Sequence, residues 1–415
     1  MSRDWLLVAP LAVGHLGLFV VIINMAHALG FDERRSNQVK IALLSALLAI
    51  AALMAREVGR GSWPAWTWPL RAYALLCLGI GLVGIPAVTL ARALRRMPDG
   101  VTGRASELDL VERDGPEPLI GTGRHAWMIR LPGNESLRLR KLEWEVVLPG
   151  LPSSCDGLSL VQLTDLHFAP WYSRRFFEIV AEEAGSWDAD LVLLTGDLVE
   201  HDDGLAWIAP VLSRVQGRLG SFAILGNHDY ALHARRIRRA IRDAGLTDLE
   251  GCWTRIAIEG ATVALGGTSY PWGPRLDPNE MPEADFRILL SHSPDQLAWA
   301  ARWGIDLMLS GHNHGGQIRL PLIGPVFMPS LYSRRYDRGF FRAGPTLLHV
   351  SQGIGGQHPL RYGGCAPEIS RFVLRVAEPV ETGRHTPARV ADSTFLREHR
   401  RVPKITDRRS GRGLD

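Results

Sequence analysis

DLVLLTGDLVE (residues 190–200) and SFAILGNHD (residues 221–229) share one pattern: an apolar run, a glycine, then a residue able to hold a cation. Three further stretches repeat it with variations. LSLVQLTDLH (158–167) ends in Asp165 and His167, RILLSHSP (287–294) carries Ser291 and His292, and DLMLSGHNHGGQ (306–317) carries His312 and His314. Short apolar runs without alternation read as strands buried on both faces, as in parallel sheets. Amphipathic spacing between them predicts helices near Arg174–Gly185, Leu205–Val215 and Ala234–Ala244. TRIAIEG (254–260) and ATVALGG (261–267) read as a hairpin, TLLHVSQG (346–353) and SRFVLRV (370–376) as further strands. This alternation predicts an α/β core with helices outside the sheets.

Ligands at the carboxyl ends of neighbouring strands converge on one crevice. Glycines ahead of Asp197, Asn227 and His312 let the chain turn sharply and approach an ion closely. Asp, His and Asn together offer oxygen and imidazole donors suited to Mn, Fe or Zn, with no thiolate taking part. A lone histidine beside an apolar strand is ordinarily a core residue, and an aspartate after a strand is ordinarily a helix cap. Five such segments in one chain reverse that expectation.

The chain has 415 residues, 46% hydrophobic and 22% charged, which excludes a collagen-like, disulfide-framework or wholly disordered protein. Its net charge of +4 gives no argument for a nucleic-acid partner. The four cysteines (Cys77, Cys155, Cys252 and Cys365) are scattered and read as free thiols. Residues 1–97 read as a membrane region of about three transmembrane helices. The apolar runs are Leu6–Leu29, Val39–Ala55 and Ala72–Ala91, with Trp63, Trp66 and Trp68 at an interfacial position. Arg34, Arg35, Lys40, Arg92, Arg95, Arg96 and Arg104 slightly outweigh Arg3, Arg56, Arg60 and Arg71. This predicts a multi-pass protein of the cell membrane with its C-terminal domain in the cytoplasm. His15, Asn24 and His27 inside the first run read as helix–helix hydrogen-bonding groups. Residues 98–124 read as a linker, 125–378 as the catalytic domain and 379–415 as a disordered basic tail.

Taken in order, TDLH, GDLVE, GNHDY, SHSPD and GHNHGGQIRLP resemble the calcineurin-like metallophosphoesterase superfamily, in the form of its bacterial membrane-linked phosphodiesterase branch. That branch includes membrane-anchored UDP-diacylglucosamine pyrophosphohydrolases. The resemblance covers about Leu142 to Val376. It implies a four-layer α/β/β/α sandwich and two divalent metal ions. One ion would be held by Asp165, His167, Asp197 and His314, the other by Asp197, Asn227, His292 and His312, with Asp197 bridging. His228 would stabilise the transition state or protonate the leaving oxygen. The family often orients that histidine with an aspartate three residues after the bridging one. Glu200 stands there instead, so Glu200 and the adjacent Asp229 remain the two candidate orienters.

The implied function is metal-dependent hydrolysis of a phosphodiester or pyrophosphate bond, including in a lipid-linked or nucleotide-activated lipid substrate. A broad phosphodiesterase on soluble nucleotides, or a silent metal-binding scaffold, are the alternatives. Phosphate esters and membrane lipids are the implied partners. Arg235, Arg236, Arg238, Arg239 and Arg242 read first as a solvated helix face and second as a contact for anionic headgroups or substrate phosphates. Gln317 and Arg361 are equally suited to phosphate contact and to packing.

Overall fold

The computed structural model describes residues 5–31, 33–60, 66–321 and 323–377. The tail expected at 379–415 lies outside the described residues. In chain order the strands are β1 (Val101–Asp109), β2 (Arg138–Leu148), β3 (Ser159–Leu163), β4 (Leu191–Thr195), β5 (Gly220–Ile224) and β6 (Thr247–Asp248). They continue as β7 (Trp253–Ile258), β8 (Ala261–Thr268), β9 (Phe286–Ser291), β10 (Leu307–Ser310), β11 (Arg319–Leu320) and β12 (Gly324–Pro325). The last three are β13 (Gly339–Ala343), β14 (Thr346–Val350) and β15 (Glu368–Val376). One sheet runs β1-β2-β15-β3-β4-β5-β6 and a second runs β13-β14-β10-β9-β8-β7. β7 and β8 form the expected antiparallel hairpin.

The apolar runs are continuous because both faces of these strands are covered. On β4, Leu191 and Leu193 join β9 residues Ile288 and Leu290 between the sheets. Val192 and Leu194 turn the other way, against Phe176, Ile179 and Val180 of the helix Arg174–Gly185. Leu289 and Met308 on the far side of the second sheet pack on Leu297 and Ala300 of the helix Leu297–Arg302. Four layers, helix–sheet–sheet–helix, follow from that alternation. Each fully buried Leu or Val contributes about 1.5–3 kcal/mol, so the cost of ordering the central strands is offset from two sides.

Residues 98–124 are not a linker. β1 pairs antiparallel with β2 in register from Val101↔Val146 to Asp109↔Arg138. Asp109 then caps the helix Leu110–Asp114, accepting from the backbone N–H groups of Val111 and Glu112. β1 is an edge strand with most of its side chains exposed. Polar side chains there protect a sheet edge from pairing with another chain, and they give the segment the composition of a loop. The helix expected at Leu205–Val215 is likewise shorter, a single turn-and-a-half at Ile208–Leu212 after a 3₁₀ segment.

Among the described residues three helices are long and apolar enough to cross a membrane: Val8–His27, Asn37–Arg60 and Trp68–Ala93. The third carries a π turn at Ile80–Gly84 just ahead of Pro86. Proline lacks the N–H for its place in the helical ladder, and a widened turn accommodates that loss. Glycines bring the first and third helices into backbone contact. A Cβ at Gly81 would stand 2.2 Å from the Pro10 carbonyl oxygen. Small residues allow this close approach, the main source of helix adhesion in lipid.

His15 bonds the Tyr73 hydroxyl across the helices at 2.7 Å, as expected. Among the described residues Asn24 bonds no other membrane-long helix. Its amide donates to Val326 O and Ser333 Oγ, and its Oδ1 accepts from Met328 N at 3.0 Å, all in the catalytic domain. At the end of the third helix, Arg92 and Arg95 reach Asp337 at 2.7 and 2.9 Å, where Arg319 also binds it at 2.9 Å. Burial opposes the Asp337 charge, but the three guanidinium groups hold its carboxyl below the usual range.

Candidate metal centre

The turns after β3, β4 and β10 bend the chain into left-handed backbone at residues other than glycine. Asp165, His167, Asp197, His312 and His314 have φ of 51°, 46°, 52°, 69° and 47°. Such conformations cost about 1–3 kcal/mol each and persist where surrounding structure over-determines them. Glycines make room beside them. A Cβ at Gly226 would lie 2.1 Å from Asp197 Oδ1, and one at Gly311 would lie 2.2 Å from Asp165 Oδ2. The sharp turns anticipated from the glycines are therefore close approaches to carboxylates.

All seven residues expected as ligands come together. Asp165, His167, Asp197 and His314 form one group, and Asp197, His292 and His312 a second, with Asn227 Oδ1 lying 3.1 Å from His292 Nε2. Hydrogen bonds on the far side of the His292, His312 and His167 rings fix where their lone pairs point. His292 Nδ1 faces Thr195 O at 2.9 Å, and His312 Nε2 faces Pro329 O at 2.8 Å. Carbonyls accept only, so each of these nitrogens carries the proton. The opposite nitrogens, His292 Nε2 and His312 Nδ1, then confront each other lone pair to lone pair at 3.1 Å. His167 repeats the arrangement. Its Nδ1 faces Glu200 Oε2 at 2.8 Å, and its Nε2 stands 3.2 Å from His314 Nε2. Asp197 Oδ2 lies between the groups, 3.5 Å from His167 Nε2 and 3.3 Å from His292 Nε2. Acceptors crowded around two shared points suit divalent cations, and a single carboxylate between them suits a bridge. Burial keeps the His312 and His314 imidazoles well below their usual pKa and so available as neutral donors.

His228 sits at the mouth, its Nδ1 2.6 Å from Glu200 Oε2. Burial alone would lower its pKa, yet the charges of Asp197 and Glu200 and the bond to Glu200 push it up to about 9. Burial works against the Glu200 charge, but hydrogen bonds from His167 and His228 hold it at about 2. Glu200 is thus the partner of His228. Asp229 is turned elsewhere: its carboxylate accepts from the backbone N–H groups of Leu198, Val199 and Gly226. Placed among the catalytic candidates from the sequence, it instead positions the loop bearing Asp197 against the loop bearing Asn227. Burial and the Asp197 charge push its pKa up to about 7.

Other expectations resolve similarly. Arg361 is fully buried and donates to the carbonyls of Gln352 and Cys365 behind His314, a packing role. Gln317 lines the cavity. Of the arginines after GNHD, Arg238 and Arg242 bind Asp248, while Ile237 and Ile241 are buried beneath. The cavity over the ligands measures about 320 Å³, and its lining includes residues that sequence reasoning missed. Phe327, Met328 and Pro329 form one wall, and Asn24 and His27 of the first membrane-long helix form part of another. Trp272 packs its ring 4.8 Å from that of His312. Only the polar residues inside an apolar run signalled any of this in the sequence.

A strand-end cluster of this kind defines a metallohydrolase site, and comparison with known proteins gives the family. The sequence profile of the calcineurin-like phosphoesterases matches residues 158–316. Phosphodiesterase YaeI of Escherichia coli is 33% identical over 218 residues, covering 51% of this chain and 80% of its own. The metallophosphoesterase YkuE of Bacillus subtilis is 28% identical over 239 residues, 54% of this chain and 82% of its own. UDP-2,3-diacylglucosamine pyrophosphatase LpxG of Chlamydia trachomatis is 26% identical over 307 residues, 59% and 90% respectively. The chain belongs to the calcineurin-like phosphoesterases, metal-dependent hydrolases of phosphate esters.

Proposed function

We propose that this protein hydrolyses a phosphodiester or pyrophosphate bond at a dinuclear metal site, acting on a lipid-linked substrate such as a nucleotide-activated lipid. The observation that carries this reading is the pair of lone-pair clusters sharing Asp197, with His228 at the mouth and a membrane-long helix on the rim. Asp165, His167, Asp197 and His314 would hold one cation, and Asp197, Asn227, His292 and His312 the other. Two cations so placed would neutralise phosphoryl charge and make water a nucleophile at neutral pH. His228 carries the proton donated to the leaving oxygen, and Glu200 orients its ring. A relative named for pyrophosphate cleavage in a diacylated nucleotide sugar supports the lipid-linked class.

Full-length protein in detergent, stripped of metal and reloaded with Mn, Fe or Zn, tests the reaction class. Turnover of diesters or pyrophosphates, abolished by chelation and restored by metal, is expected. Hydrolysis of monoesters alone would overturn it. The catalytic domain is proposed to face the cytoplasm, because both helix ends that bind it, at Asn24 and Arg92, lie beside the richer set of arginines. Protease added outside right-side-out vesicles should leave the domain intact; its digestion would reverse the orientation.

A further inference from the structure

The segment 318–331 (IRLPLIGPVFMPSL) has two unlike sides. Its inner side builds the metal cavity: Pro329 O holds the ligand His312 at 2.8 Å, and Phe327, Met328 and Pro329 line the wall. Its outer side exposes Ile318, Leu320, Ile323 and Leu331, each more than 40% accessible, and Phe327, at the cavity rim between the two sides, is 59% accessible. Five exposed large apolar side chains in one short segment form a patch that water alone does not favour.

The flanks of the segment show what covers it. Asn24, near the end of the first membrane-long helix, binds residues 326, 328 and 333. Arg92, near the end of the third, donates to Arg334 O and packs against Gly324. The short connection between the first two helices touches the opposite rim, where a Cβ on Gly30 would stand 2.9 Å from Pro271 Cγ, one residue before Trp272. Helices that end at a bilayer surface hold whatever they clamp at that surface. Ile22, Met25 and Leu29 at the end of the first helix are exposed as well, extending the patch toward the hydrocarbon. Arg34 and Arg96 lie exposed beside the same helix ends, where anionic headgroups would gather.

We propose that segment 318–331 rests in the interfacial layer of the bilayer and admits an acylated phosphoester to the metals between its Phe327 and His27 at the end of the first helix. The phosphate reaches His228 while the acyl chains remain in lipid, alongside Phe327 and the exposed face of that helix. This rests on the phosphodiesterase reading above, but membrane contact by the segment can be measured without it.

Full-length protein with Cys252→Ser, placed in nanodiscs of phosphatidylethanolamine and phosphatidylglycerol, provides that measurement. A fluorophore on Phe327→Cys should be quenched by doxyl-labelled lipid. A fluorophore on Leu219→Cys, next to the amino-terminal end of β5 and so at the far end of the sheet, should not. Equal quenching at the two positions, or none at 327, overturns the proposal. In a second arm, Ile323→Ser/Leu331→Ser is compared with the parent on a diacylglycerol nitrophenyl phosphodiester in mixed micelles and on bis-nitrophenyl phosphate. The ratio of kcat/KM for the acylated over the soluble ester should fall at least tenfold; an unchanged ratio overturns the access route. A parent that cleaves neither ester sinks the phosphodiesterase reading, and the quenching then decides the membrane contact alone.

Discussion

Asp197→Asn is expected to leave the protein with less than its full metal complement and almost no activity. Asn keeps the size of the side chain, and its carbonyl oxygen can still accept the His228 backbone N–H that Asp197 Oδ1 accepts at 2.9 Å. What it loses is the charge, at the point where His167 and His292 both aim a lone pair. An amide N–H₂ turned into that space would donate to those lone pairs and could not itself hold a cation. The loss should exceed about 10³-fold in kcat, beyond what removing a single oxyanion donor costs. Metal analysis of the purified variant decides the matter. Two ions still bound per chain would sink the bridging assignment, whatever the activity.

His228→Ala should separate chemistry from metal binding. His228 also lies close to His167 and Glu200, but both rings meet Glu200 Oε2 through Nδ1, so its loss leaves the two clusters that share Asp197 intact. Turnover should fall by about 10²–10⁴-fold, the usual worth of a positioned acid. The fall should appear in kcat with little change in KM, because the proton is needed only as the bond breaks. A nitrophenolate leaving group needs little protonation, so the deficit on such an ester should shrink. Loss of one metal per chain would make His228 a ligand. Full activity on an alkoxide leaving group would remove its acid role.

The parts of this chain that were legible in its sequence are those where burial wrote a pattern. β3, β4 and β5 are covered on both faces, so apolar residues dominate them and the run stops where the candidate ligands begin. β1 pairs just as fully with β2, but most of its side chains face solvent and its composition matches a loop. Glu200 and Asp229 are indistinguishable on paper, each a carboxylate near a metal motif. The folded backbone decides between them, because three N–H groups converge on Asp229 and none of them on Glu200. Trp272 and the wall 327–329 reach the site through tertiary contact alone, from segments with neither helical nor strand periodicity. Asn24 was visible as a polar residue in an apolar run, though its partners lie some three hundred positions away.

Cutting the chain ahead of residue 98 would remove Arg92 and Arg95, two of the three guanidinium groups around a carboxylate that is 1% exposed. A buried charge short of partners costs about 3–5 kcal/mol, trimmed here by the solvent that reaches Arg95. The same cut would release Val326, Met328 and Ser333 from Asn24 and take His27 from the cavity rim. The membrane helices are therefore masonry of the catalytic chamber and not a detachable tether. A fragment cut there should keep the candidate ligands yet present them in a chamber of different shape, so its substrate preferences should differ from those of this chain.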